Sequence, residues 1–340
     1  MIESNPVCKH CNSINIRKDG IVRYSRGDYQ RYFCKDCGRK TIDAPYIDSN
    51  GDKISFEQFP SDDIPVEEII EQQIKSVARK IDHADASKWF NIKINEKKPI
   101  GVAFIGDPHI DNSGCNWLLL KKHIELLKTD GVYSVGIGDY TDNWVGRLTR
   151  LYAKSNMSRT RAIKVAKWFI GDSGINWMVL IRGNHDMWSP ELDDPLMWME
   201  TGAAPKADWK AQFQITFPNK RICKVDARHN FKGHSMWNSL HGMQKAAHMF
   251  DSAHIYVAGH THNWALHQEE AASKQFTYWL ARARGYKYVD EYANILGYDE
   301  QKDGATILAI IDPNKYGSSF VQCFVDLEAG VEYLTYLRNK

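Results

Sequence analysis

The stretch IGVAFIGDPH, residues 100–109, decides the fold: the apolar run Ile100–Ile105 leads straight into Gly106-Asp107-Pro108-His109. A run this short, ended by a glycine-bearing polar loop, reads as a strand buried inside a sheet. Val132–Ile137 and Met178–Ile181 repeat the pattern, each ending in its own glycine loop. Between them lie helical spacings such as Trp117, Leu120, Ile124 and Leu127. Strands alternating with helices predict an α/β core. The later runs Ile255–Ala258, Ala305–Ile311 and Phe320–Val325 are denser in strand and predict a second sheet packed on the first.

Four loops follow predicted strands and form one constellation. They are Gly106–His109, Gly138-Asp139-Tyr140-Thr141-Asp142-Asn143, Gly183-Asn184-His185-Asp186 and Gly259-His260-Thr261-His262. Any one alone is an ordinary polar loop. Together they place carboxylate, imidazole and amide groups at the carboxyl ends of sheet strands, where α/β proteins build their sites. Mixed Asp, His and Asn donors suit a pair of transition-metal ions, not Ca2+ or a closed structural zinc. The glycines allow sharp turns and a close approach of backbone to metal.

This series resembles that of the calcineurin-like metallophosphoesterases over roughly residues 98–265. The resemblance implies a four-layer αββα sandwich with a dinuclear centre. It assigns Asp107 and His109 to the first metal, with Asp139 bridging both. Asn184 and His260 fall to the second metal, and His262 returns to the first. The family also needs a histidine after the strand before GHTH, and His229, His234 and His241 are available. His229 directly follows the strand-like Ile222–Arg228 and is preferred, with His234 the alternative. By the same resemblance His185 is the general acid, and Asp142 is the carboxylate expected to raise its pKa. Two ions about 3.5–4 Å apart would share a water, lower its pKa to give a bridging hydroxide, and hold phosphate for in-line attack. Mn2+ is the expected pair, and Fe2+ or Zn2+ would accept the same donors.

Before this core the texture is different. Cys8, Cys11, Cys34 and Cys37 crowd the first forty residues, as C-K-H-C and C-K-D-C. Each pair sets two thiolates on one tight turn, and two facing turns complete a tetrahedral structural Zn2+ site. The intervening IVRYSRGDYQRYFC interleaves Arg23, Arg26 and Arg31 with Tyr24, Tyr29, Tyr32 and Phe33. Over about 35 residues this segment resembles the N-terminal zinc ribbons of insertion-sequence transposases, which implies contact with nucleic acid. A protein partner is the alternative for this module. The length of 340 residues suggests about two domains, and the cysteines place the boundary far from the middle. The expected division is a ribbon at 1–45, a linker and amphipathic helix at 46–97, and the phosphoesterase domain at 98–340. Asn50–Gly51 and two prolines mark the linker, and Val66, Ile70, Ile74, Val77 and Ile81 mark the helix.

Charge locates a substrate only after it is divided up. Lys and Arg total 44 against 42 Asp and Glu, a net charge of +2 that by itself discourages any claim about polyanions. Yet residues 143–171 contain no acid and seven bases, among them Arg147, Arg150, Lys154, Arg161, Lys164 and Lys167. This segment starts at a metal loop, and Arg161, Lys164 and Lys167 would share one face of a helix. A charge run is usually a solvated face; beside a phosphate-cutting centre it predicts contact with backbone phosphates. Arg282, Arg284, Tyr286, Lys287, Tyr288 and Tyr292 form a second cluster suited to stacking bases and binding phosphates, with core packing as the competing explanation.

The expected protein is a dinuclear-metal nuclease or phosphodiesterase, with DNA favoured over RNA. It looks like the branch that includes double-strand-break repair exonucleases. The alternatives are a phosphomonoesterase or protein phosphatase, and a non-catalytic DNA-binding adaptor. Protein phosphatases usually carry arginine where Asn143 stands, which disfavours that reading. No run approaches the ~18 apolar residues that span a bilayer, and MIESNPVCKH lacks the apolar stretch of a secretory signal, so no membrane partner and a cytoplasmic location are expected.

Overall fold

The computed structural model describes residues 6–25, 27–43, 46–47, 53–54, 64–188, 196, 204–250, 252–271, 276–288 and 304–340. Arg26, Asn50–Gly51, most of the expected linker, the side chain of Lys154, and Tyr292 lie outside them. The chain divides into two compact units, Met1–Lys75 and Ser76–Lys340.

The first unit is built on β1 (Ile16–Tyr24), β2 (Gly27–Cys34) and β3 (Lys40–Asp43), an antiparallel sheet in that order. A two-stranded pair, β4 (Tyr46–Ile47) and β5 (Lys53–Ile54), follows. Helix α1 (Val66–Ser87) spans the boundary between the two units and carries Glu67 and Glu68 in its first turn, where they complement the helix dipole. It realises the predicted amphipathic stripe and buries none of it.

In the second unit β6 (Phe90–Lys93), β7 (Ile100–Ile105), α2 (Trp117–Leu127), β8 (Val132–Gly136), α3 (Arg159–Lys167) and β9 (Trp177–Arg182) come first. There follow α4 (Asn184–Met187), β10 (Lys206–Asp208), β11 (Lys210–Thr216), β12 (Ile222–Arg228), α5 (His241–Met249) and β13 (Ile255–Ala258). Last are β14 (Ala265–Ala271), β15 (Phe276–Arg282), β16 (Thr306–Ile311), β17 (Val321–Phe324) and α6 (Leu327–Asn339). The strands form two six-stranded sheets, ordered β10-β9-β8-β7-β16-β17 and β14-β15-β13-β12-β11-β6.

Period-two alternation explains the four layers. In β7, Val102 and Phe104 point into a core shared with Phe213, Val225 and Val257 of the other sheet. Ala103 and Ile105 point the opposite way, into a core with Leu120 and Ile124 of α2 and Leu334 of α6. On the far side of the second sheet, Tyr256 and Leu280 pack with Met243 and Ala247 of α5. Helix, sheet, sheet, helix is therefore the layer order. Each β7 side chain is buried on one face or the other, which is why the run reads as unbroken apolar text.

Two assignments differ from the sequence expectation. β16 and β17 join the first sheet, β16 lying antiparallel to β7 from Thr306 opposite Ile105 to Ile311 opposite Ile100. Of the three later runs, only Ile255–Ala258 enters the second sheet. Apolar runs announce strands, but not the sheet that receives them. The second sheet also recruits β6, parallel to β11, from ahead of residue 98.

Candidate metal centres

At the amino end, the Cys8 and Cys37 Sγ atoms lie 3.6 Å apart and those of Cys11 and Cys34 lie 3.5 Å apart. All four sulfurs fall within 4.8 Å of one another. Four Zn–S bonds of about 2.3 Å at tetrahedral angles require sulfurs about 3.8 Å apart, so the set fits Zn2+. The turns are closed by backbone: Asn12 N–H donates to Cys8 O and Gly38 N–H to Cys34 O. The N–H of Cys37 helps lower the Cys34 thiol to about 7. Desolvation and the neighbouring thiols push Cys11 and Cys37 up, so metal binding must displace protons from the set.

The second site grows from the strand ends. β7, β8 and β9 run parallel, as do β12 and β13 in the other sheet, so their carboxyl ends meet on one side. Backbone hydrogen bonds continue past the strands: Asp107 N–H to Gly138 O at 3.0 Å, His109 N–H to Asp139 O at 3.1 Å, and Gly259 N–H to His229 O at 3.1 Å. These bonds line up loops that are far apart in sequence. Asp107, His109, Asp139, Asn143, His260 and His262 all have positive φ, between 37° and 71°. Such backbone costs of order 1–3 kcal/mol per non-glycine residue, and the surrounding packing must hold it. Glycine is obligatory beside it. A Cβ on Gly183 would sit 2.1 Å from Asp139 Oδ1, and one on Gly259 would sit 2.2 Å from Asp107 Oδ2.

Among the described residues the donors converge as overlapping groups, Asp107 with His109 and His262 at one end and Asp139 with His229 and His260 at the other. His109, Asp139 and His185 form a third group that shares a member with each. Asp139 Oδ2 faces both, 3.3 Å from His229 Nε2 and 3.9 Å from His109 Nε2. Asn184 Oδ1 lies 3.0 Å from His229 Nε2, and His260 Nδ1 lies at the same distance. His229 Nδ1 is held by Ile137 O at 2.7 Å, so Nε2 turns to the centre. His229 is fully buried there, whereas His234 and His241 are exposed.

Buried Asp107 Oδ1 and His109 Nε2 have no hydrogen-bond partner among the described residues. Orphaned acceptors in a buried site are costly, and a divalent cation is the species that would satisfy them together. The residues present therefore fit a metal pair.

Electrostatics agree. Burial opposes ionisation of Asp139, yet the imidazoles of His229, His185 and His109 hold its carboxyl well below the ordinary range. Burial would depress His229, but the Asp139 carboxylate beside it lifts the imidazole to about 9.

Asp142 is corrected by the structure. Its carboxylate does not touch His185: Oδ1 lies 2.9 Å from His109 Nδ1 and 3.0 Å from Lys287 Nζ, and Oδ2 accepts from Asn112 at 2.6 Å. His185 instead bonds through Nδ1 to the backbone O of Asp142. Its ring lies between Trp144 and Trp188, with centroids at 4.9 and 4.1 Å, and burial lowers the imidazole to about 4. The i+3 carboxylate thus lies beside His109 Nδ1, the place from which carboxylates usually steady ligand histidines.

Arg282 and Arg284 also depart from expectation, because both are buried. Arg282 Nη1 donates to Gly259 O at 2.6 Å and Thr261 Oγ1 at 2.9 Å, and its Nε donates to Ser239 O at 2.9 Å. Arg284 donates to Lys287 O. Both guanidinium groups brace loops of the site and do not face solvent. Arg147, Arg150, Arg161, Lys164 and Lys167 are exposed, while Ala162 and Ala166 of α3 are buried.

Sequence reasoning assigned no role to Asp186 and took Lys287 only as one member of the Arg282–Tyr292 cluster. Asp186 accepts from Asp139 N–H at 2.7 Å, Gly183 N–H at 2.8 Å and Tyr140 N–H at 3.2 Å, tying two metal loops together. Its signal was its place directly after Asn184-His185. Lys287, for which phosphate binding and core packing were both open, is buried and pairs with Asp142 at 3.0 Å.

Among the described residues, no helix is long and apolar enough to cross a membrane. No family model matches the sequence, and no curated protein matches it significantly. Among solved structures, the chain is similar to the crystal structure of calcineurin-like phosphoesterase YfkN from Bacillus subtilis. The likeness covers 71% of this chain and 96% of that one, at 10% sequence identity and a TM-score of 0.37. A likeness that distant carries no functional argument, and the side chains must carry their own.

Proposed function

We propose that this chain is a dinuclear-metal phosphodiesterase acting on nucleic acid, with DNA favoured over RNA. The observation that carries the reading is the single Asp139 carboxylate facing donor groups on either side, beside buried acceptors that a divalent cation would satisfy. Asp107, His109 and His262 would hold one ion, Asn184, His229 and His260 the other, and Asp139 both. Bound there, Mn2+, Fe2+ or Zn2+ would supply a nucleophilic water and neutralise charge developing on phosphorus. His185 is pinned through Nδ1, which leaves Nε2 facing the centre, 3.9 Å from Asp139 Oδ2, to protonate the leaving oxygen. The phosphate's own negative charge raises a histidine lowered by burial. Asp142 serves this reaction by orienting His109.

A polymeric substrate is supported by the exposed bases of residues 143–171, which begin where Asn143 Nδ2 donates to His185 O. The zinc ribbon, with exposed Arg23 and Tyr24, would add a second hold on the strand, or a hold on a protein partner. The test is to incubate the chain with Mn2+ and labelled single- and double-stranded DNA and RNA. Bis(p-nitrophenyl) phosphate and p-nitrophenyl phosphate run alongside. Cleavage of the monoester alone would overturn the proposal, and metal-dependent DNA binding without turnover would make the chain an adaptor.

A further inference from the structure

The loop between Phe231 and Leu240 leaves the metal centre directly after His229 and returns at Ser239, whose carbonyl is held by the arginine that also holds Gly259. At its tip Met236 and Trp237 are 82% and 93% exposed. An indole held in water on a fixed loop presents a flat apolar face that a base can cover. The loop is fixed. Ser235 Oγ accepts from the N–H groups of Trp237 and Asn238 at 3.3 and 3.2 Å. Asn238 accepts from Leu240 N–H and donates to Gln244 of α5 at 2.8 Å. Gly233 is pressed against Gly242 in the first turn of α5. Two trans peptide steps of ~3.8 Å separate Trp237 from Ser239, so the indole stays near the phosphoester site.

What surrounds the indole indicates its partner. Residues 227–250 contain no Asp or Glu. Lys232 is exposed on the loop, and His241, Lys245 and His248 are exposed on one face of α5 at the i, i+4, i+7 spacing. The Glu269 carboxylate, which reaches this surface, is tied to Gln244 of α5 and Tyr278. An aromatic face flanked by exposed lysines and histidines therefore suits a base and its phosphates better than an acidic or apolar partner.

We infer that Trp237 is a stacking platform for an unpaired base of the substrate strand, with Lys232 and Lys245 contacting the phosphates on either side. The inference rests on the nucleic-acid reading above and narrows it to strands whose bases are unpaired beside the scissile bond.

The test compares wild type, Trp237→Ala, Trp237→Phe and Lys245→Ala, each as the full chain with Mn2+. Substrates are a single-stranded oligonucleotide, the same strand made abasic, and bis(p-nitrophenyl) phosphate, which carries no flanking nucleotide to stack on Trp237. Trp237→Ala should raise KM for the oligonucleotide roughly five- to hundredfold with little change in kcat, and Trp237→Phe should recover most of the loss. The abasic strand should bind wild type as weakly as it binds Trp237→Ala. Small-diester turnover should match in all four, which also reports intact folding. If Trp237→Ala cleaves the oligonucleotide with wild-type KM, or is impaired equally on the abasic strand, the platform is wrong and the nuclease reading stands. A chain that hydrolyses the small diester but neither binds nor cuts any oligonucleotide loses both.

Discussion

Removing the Asp186 carboxylate should loosen two metal loops at once. Asp186 is fully buried and accepts from the backbone N–H groups of Asp139, Tyr140 and Gly183. Asp186→Ala leaves three buried donors without a partner. At about 1–2 kcal/mol each, the loss is about 3–6 kcal/mol. Asp186→Asn can keep its oxygen on Asp139 and Gly183 and turn its amide toward Tyr140, so about 1–3 kcal/mol should suffice. Burial pushes the carboxyl up to about 7, so the comparison belongs at pH 8, where the carboxylate accepts all three bonds. The assay is urea unfolding in the presence of chelator, followed by Mn2+ titration of each folded protein. With m of about 2–3 kcal/mol/M, the Ala midpoint should fall by more than 1 M and the Asn midpoint by less. Metal affinity should fall with it, because Asp139 and Asn184 sit on the loops released. An Ala variant with unchanged midpoint and unchanged Mn2+ affinity would refute the reasoning.

Other expectations follow from the same geometry. Asp142→Asn should weaken one of the two metal sites about 10–100-fold by freeing His109, as calorimetry would show, and leave the other near its original affinity. His185→Ala should bind both ions normally and lose most turnover on alkyl diesters, with less loss on p-nitrophenyl esters whose leaving group needs no proton; equal losses would argue against a general acid. His229 is lifted to about 9 in the metal-free centre, so its proton competes with metal below that value. Affinity should therefore rise with pH up to about 9, and calorimetry in buffers of different ionisation enthalpy should show proton release on binding. Cys34→Ser should remove one chelator-resistant zinc per chain and leave small-diester hydrolysis intact.

How much was legible depended on whether the chemistry was local. GDPH and GHTH lie at the ends of buried apolar runs, so text and position both pointed to Asp107, His109, His260 and His262. His229 was preferred for its place after a strand, and in the structure it is buried beside Asn184 and His260 while His234 is exposed. The partner of His185 was not legible, since three residues of spacing cannot say whether a carboxylate or its own backbone carbonyl turns inward. For Arg282 and Arg284 the text left phosphate binding and core packing both open. β15 lies between β14 and β13, so its end emerges under the GHTH loop and not at an edge. The return of β16 and β17 to the first sheet is likewise a long-range pairing that no local period encodes.

The central claim is a centre of two ions sharing Asp139, and stoichiometry tests it most directly. Metal-free catalytic sites are titrated with Mn2+ while bound metal and bis(p-nitrophenyl) phosphate turnover are followed together. Two ions per chain should bind beyond the ribbon zinc, with turnover appearing as the second site fills, and Asp139→Asn should lose both. A single bound ion, or two ions with no diester hydrolysis under Mn2+, Fe2+ or Zn2+, would contradict it.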